Sequence, residues 1–173
     1  MMELGADLPQ VYLQPGEIYV ARSPAILRTV LGSCVGVTFW SGRLGIGALC
    51  HAVLPRRPRE LSLDPKDQEG YRYVDYCIRD LARELERMGA YRAELQVKLF
   101  GGADVLPVRS EPSLRETVGR QNWQTALAVL EEESLDVFAS DLGGTLGRTI
   151  QFHTGTGEVL LRRLSKPEFD EHE

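Results

Sequence analysis

Ala25-Ile-Leu-Arg-Thr-Val-Leu-Gly-Ser-Cys-Val-Gly-Val-Thr-Phe39 is the stretch that decides how this chain folds. It is rich in aliphatic and β-branched residues and is broken only at Gly32 and Gly36, which reads as extended chain. Ser41-Gly42 follows as a turn signal, and Leu44 to Val53 is apolar again, so the two runs predict a hairpin of long strands. Glycines inside a strand pattern predict a bulge, or a close approach of backbone to something else.

Upstream, Glu17 to Ala21 reads as a short strand, behind a loose lead-in over residues 1–14. Downstream, Pro55 to Gly70 carries three prolines and eight charged residues and reads as a long loop. Val74, Cys77, Ile78, Leu81, Leu85 and Met88 recur at helical spacing, so Tyr71 to Met88 is predicted as a helix, closed by Gly89. Leu95, Val97 and Leu99 alternate with polar residues as a strand. A second helix is expected from about Asn122 to Glu132, burying Trp123, Ala126, Leu127 and Leu130. Val137 to Ser140 reads as a short strand, and Arg148 to Phe152 with Glu158 to Leu164 as a hairpin.

Long strands in hairpins, with only two helical crossovers, favour an α/β layered sandwich of mixed, largely antiparallel sheet with two main helices. A single domain is expected over residues 1–164, ahead of a charged, mobile tail over 165–173. The chain has 173 residues, 43 % of them hydrophobic, enough for a real core. Its formal net charge of −5 argues against a dedicated nucleic-acid binder. Three cysteines make no disulfide scaffold and fit a reducing compartment. There is no apolar run of membrane-spanning length, and residues 1–20 lack a signal-peptide pattern, so a cytoplasmic protein with no membrane insertion is expected.

The chemistry turns on the cysteines. Cys77 lies on the apolar face of the first helix and Cys50 alternates with Ile46 and Ala48, so both read as core. Cys34 is flanked by Gly32 and Gly36, space that a nucleophile needs if a carbonyl is to reach the sulfur and the nearby N–H groups. A thiol needs a base. His172 lies in the tail, and His153 is expected at an exposed hairpin tip. His51 lies on the strand paired with the one carrying Cys34, where a two-residue offset would put both on one face diagonally. Candidates for a third group are Thr29, Ser33 and Thr38. Strand parity places Thr29 on the opposite face unless a bulge intervenes. No zinc spacing, P-loop or dinucleotide fingerprint is present, so neither metal nor cofactor is expected.

Leu31-Gly-Ser-Cys-Val35, Cys50-His-Ala-Val-Leu-Pro55, Tyr73-Val-Asp75, Lys98-Leu-Phe-Gly-Gly-Ala103, Val118-Gly-Arg-Gln-Asn122 and Asp141-Leu-Gly-Gly-Thr-Leu-Gly-Arg148 form an ordered set. Together they resemble the chemoreceptor glutamine deamidase family, CheD, over roughly residues 15–164. The resemblance implies a sandwich similar to the catalytic domains of bacterial deamidating toxins. It also implies hydrolysis of glutamine side chains on methyl-accepting chemotaxis receptors, with methylesterase side activity in some members. It maps Cys34 as nucleophile, His51 as base and Thr29 as the third group, with the backbone around Gly32, Ser33 and Val35 holding the oxyanion. Asp104 departs from the hydrophobic residue or serine that often follows the family's Gly-Gly-Ala. The implied partners are the receptor's cytoplasmic helical bundle and a CheC-type phosphatase, which a non-catalytic relative could bind and stimulate. Arg56, Arg57 and Arg59, just past the expected base, are candidates for docking the receptor.

Overall fold

The computed structural model describes residues 7–60, 68–105 and 116–165. Nine strands form two sheets. The first strands are β1 (Gln10–Tyr12), β2 (Ile18–Ala21), β3 (Ile26–Leu31), β4 (Val35–Ser41) and β5 (Ile46–Ala52). After helix α1 (Val74–Arg87) come β6 (Gln96–Gly101), helix α2 (Val118–Glu132), β7 (Val137–Leu142), β8 (Arg148–His153) and β9 (Val159–Arg163). One sheet has the order β2-β5-β4-β6-β7 and the other β1-β3-β8-β9. Among the strands of the described residues only the β1–β3 and β6–β7 pairings are parallel, so the mixed, largely antiparallel sandwich with two main helices is as expected.

Parity on β4 and β5 builds the layers. Val35, Val37, Phe39, Ala48, Cys50 and Ala52 face α1 and α2. Leu49 points the other way, into a second core with Leu27, Leu31, Phe100, Ile150 and Phe152. The five-stranded sheet is thus the middle layer, helices on one face and the four-stranded sheet on the other. Helix α1 buries Val74, Cys77, Ile78, Leu81 and Leu85, and α2 is capped by the Thr117 hydroxyl accepting from the Arg120 N–H. Cys50 and Cys77 are fully buried core residues. No helix among the described residues is long and apolar enough to cross a membrane.

Several expectations are corrected. The stretch Ala25 to Phe39 is two strands in different sheets, because the chain crosses from one layer to the other at Gly32–Cys34. The lead-in over 1–14 is not loose throughout: β1 pairs with β3 through Gln10–Tyr12, and Leu13 is buried. His153 is buried rather than exposed, since its hairpin tip packs back on β3. Leu127 is exposed because α2, which starts four residues earlier than expected, is rotated about its axis so that Asn122, Ala126, Val129 and Leu130 face inward. Residues 61–67 of the long loop, and all of the tail beyond Ser165, lie outside the described residues.

Candidate active site

Thr29 and His51 come from different sheets and meet between them. The β3 side chains Leu27, Thr29 and Leu31 point toward the five-stranded sheet, and His51 on β5 points back, on the same side as Leu49. The Thr29 hydroxyl lies 2.6 Å from His51 Nδ1. Parity along one strand is therefore not the relevant geometry. Once the chain changes sheets, facing layers bring Thr29 to the face that carries His51.

Hydrogen-bond accounting sets the imidazole tautomer. Thr29 has one hydroxyl proton and donates it to the Leu13 carbonyl at 2.9 Å. Toward His51 the same oxygen can then only accept, so Nδ1 carries the ring proton and Nε2 the lone pair. Nε2 is buried and has no hydrogen-bond partner among the described residues. Burial pulls the His51 pKa from 6.5 to about 4, with the Glu17 carboxylate and the Leu13 carbonyl opposing. His51 is accordingly a neutral imidazole with an unoccupied basic nitrogen.

The β4–β5 register pairs His51 with Gly36. Cys34 lies two residues before Gly36, on the diagonal neighbour position and with the parity that faces the second sheet. A side chain at Gly36 would press on Leu31 and Ile150, so the small residue lets the sheets close beside the histidine. Cys34 is half-buried, and burial raises its thiol pKa while its own backbone N–H opposes the rise. Thiol and imidazole are both neutral at rest.

The turn carrying Cys34 is anchored through three successive carbonyls. The Gly32 carbonyl accepts from the Ala103 N–H at 3.0 Å and the Cys34 carbonyl from the Gly102 N–H at 2.9 Å. Between them, the Ser33 carbonyl accepts from Asn122 Nδ2 at 2.9 Å. In a trans peptide the N–H points away from the C=O. The Ser33 N–H is thus turned away from Ala103 and the Cys34 N–H away from Asn122; the Cys34 N–H faces its own thiol, and among the described residues no other group accepts from either. Val35 does not join them. It already pairs with Ala52, and the ladder's alternation turns its N–H into the sheet. Gly101, at φ +106, has no room for a Cβ, which would collide with the Cys34 carbonyl oxygen.

The remaining candidates lie elsewhere. Thr38 is buried on β4 opposite Leu49 and is not the partner of His51. Arg56 is ion-paired with Glu132 at 3.0 Å. Arg57 donates its backbone N–H to Asp75 and lays its guanidinium 5.2 Å from the Tyr76 ring centre. Arg57 and the exposed Arg59 line a cleft of about 740 Å³ on the outer face of α1, with Tyr76, Arg83 and Arg87. No group of three or more metal-ligating side chains occurs among the described residues. Sequence reasoning assigned no role to Leu13 or Asn122. Nothing in the local sequence marks a carbonyl acceptor such as Leu13. Asn122 was visible as a polar residue four before Ala126, on the face that α2 buries.

Residues 53–163 match the family model described as CheD chemotactic sensory transduction. A protein of Geobacter sulfurreducens named probable chemoreceptor glutamine deamidase CheD 2 is 44% identical over 163 residues, covering 94% of this chain and 95% of that protein. A probable chemoreceptor glutamine deamidase CheD of Maridesulfovibrio salexigens is 38% identical over 165 residues, 95% of this chain and 97% of its own. Similarity that runs through the Cys34 turn, the His51 strand and the α2 contact, along nearly the full length of both chains, leads to one conclusion: this protein belongs to the CheD family.

Proposed function

We propose that this protein hydrolyses glutamine side-chain amides on chemotaxis receptors, with Cys34 as nucleophile, His51 as base and Thr29 as the group that orients the base. The observation that carries the reading is the Leu13–Thr29–His51 relay, which leaves a buried, unpartnered Nε2 on the strand position diagonal to a half-buried thiol.

The reaction begins from a neutral pair. His51 Nε2 takes the Cys34 proton as the sulfur attacks the carboxamide carbon. The Ser33 and Cys34 N–H groups receive the developing oxyanion. The tetrahedral intermediate collapses as the imidazolium protonates the departing ammonia, leaving a thioester. Water, deprotonated by His51, then attacks the thioester carbon, and glutamate and free thiol are released. The same acyl chemistry would cleave a glutamate methyl ester with loss of methanol. The substrate is the receptor's cytoplasmic helical bundle, which puts the reaction in the cytoplasm. Arg59, exposed and lining the α1 cleft, is the member of the basic segment best disposed to meet acidic residues of that bundle. A CheC-type phosphatase remains the second partner that the family implies, and a thiol and base both in place favour an enzyme over a purely binding protein.

The test incubates wild type and Cys34→Ala with receptor cytoplasmic fragments and reads glutamine-to-glutamate conversion by mass spectrometry. Conversion by wild type alone supports the reading. Conversion by both forms removes Cys34 as nucleophile, and conversion by neither removes the activity.

A further inference from the structure

Asn122 is fully buried on α2, yet its side chain serves no other part of the helix. Both hydrogens of Nδ2 are spent on backbone carbonyls that flank the middle sheet: Ser33, one residue before the nucleophile, and Val53, just past β5 and two residues past His51, each at 2.9 Å. Its Oδ1 is buried and has no partner among the described residues. A buried acceptor left unpaired is costly, so this amide is held for what its nitrogen does.

We infer that Asn122 is a positioning residue for the reaction: by holding the Ser33 carbonyl it fixes the Ser33–Cys34 peptide so that the Cys34 N–H faces the oxyanion. The inference rests on the deamidase reading for its chemistry and on the hydrogen bonds alone for its geometry. The Ser33–Cys34 peptide is planar, so one hydrogen bond to its carbonyl sets the direction of its N–H. Gly32 and Cys34 have carbonyl anchors from the Gly102-Ala103 backbone, which no side-chain substitution removes. Among the described residues, the Ser33 carbonyl has only the Asn122 side chain. The second bond, to Val53, ties the same nitrogen to the end of the strand that carries the base, so nucleophile turn and base strand share one brace.

Asn122→Leu keeps the branched shape, removes both donors and also removes the orphaned acceptor. Asn122→Ser, smaller and with one donor, is the second variant should the first not fold. Three readouts separate positioning from general damage. Removing an oxyanion donor costs about 10²- to 10³-fold in kcat in other enzymes. Misdirecting one should lower kcat by roughly 30-fold or more, with KM within about twofold. Alkylation of Cys34 by iodoacetamide forms no oxyanion, so its rate should stay within about twofold. In ¹⁵N-labelled protein the Cys34 amide resonance should move while those of β8 and β9 stay in place. An unchanged kcat, or kcat and alkylation falling together, overturns the inference. If the wild-type chain converts no glutamine, the deamidase reading falls by itself. The Cys34 amide resonance then decides the positioning claim: a shift in the variant upholds it, and an unmoved resonance overturns it.

Discussion

Acid should destabilise this protein through one imidazole, by an amount that the site geometry sets. His51 is neutral in the fold with a pKa near 4, against 6.5 when exposed, because it is buried. Between those values the unfolded chain takes up a proton that the folded chain refuses, so lowering the pH favours unfolding. The contribution is fully present above about pH 6.5 and is lost as the pH falls through about 4. About 2.5 pKa units at about 1.4 kcal/mol each gives a span of roughly 3 kcal/mol. About 2.5 kcal/mol of that is gone by pH 4.5. The assay is urea unfolding of wild type and His51→Gln at pH 7.5 and 4.5. Carboxylates common to both chains cancel in the comparison. At roughly 2 kcal/mol per molar urea, wild type should lose on the order of 1 M more of its midpoint than the variant. Equal losses in the two chains would mean that folded His51 is hydrated and charges normally, and the neutral-pair start of the reaction would fall with it.

Four other outcomes are expected. The acid limb of kcat/KM should lie near pH 4 rather than near 6.5, since activity requires His51 to be unprotonated. Thr29→Val should lower kcat roughly 10- to 100-fold by freeing the ring, and Thr29→Ser should recover most of that loss in the same steady-state assay. Gly101→Ala should destabilise the fold by about 2 kcal/mol or more in urea unfolding, because it forces a side chain into positive φ against the Cys34 carbonyl. Arg59→Glu should raise KM for receptor fragments and flatten its dependence on salt, whereas Arg56→Glu should be read mainly as repulsion from Glu132 in the unfolding midpoint.

What was legible in the sequence followed periodicity. Helix α1 is legible through six apolar residues at 3.6 spacing, β6 through alternation, and β8 and β9 as a hairpin around the Thr154–Gly157 turn. The β4–β5 hairpin is legible in the sequence, and with it the face that Cys34 and His51 share, although the turn lies at 42–45 and shifts the register by four residues. What escaped depended on contacts between layers. A three-residue strand such as β1 has no period to detect, and it forms because β3 offers an edge. The crossing at Gly32–Cys34 reads locally as a strand with a bulge, and only the second sheet makes it a change of layer. Thr29 therefore looked misdirected by parity, although the resemblance had mapped it. The task of Asn122 is not legible, because its partners are two main-chain oxygens that have no sequence signature.

The anchoring of the Cys34 turn also bears on when the protein could become reactive during its synthesis. Thr29, Cys34 and His51 all leave the ribosome within the first third of the chain. The groups that hold the turn, Gly102, Ala103 and Asn122, follow some seventy to ninety residues later. Until then the emerging polypeptide carries the proposed nucleophile and base without a fixed place for negative charge. On the proposed mechanism, competence for acyl transfer thus arrives late in translation, when most of the sandwich is already available to enclose the thiol.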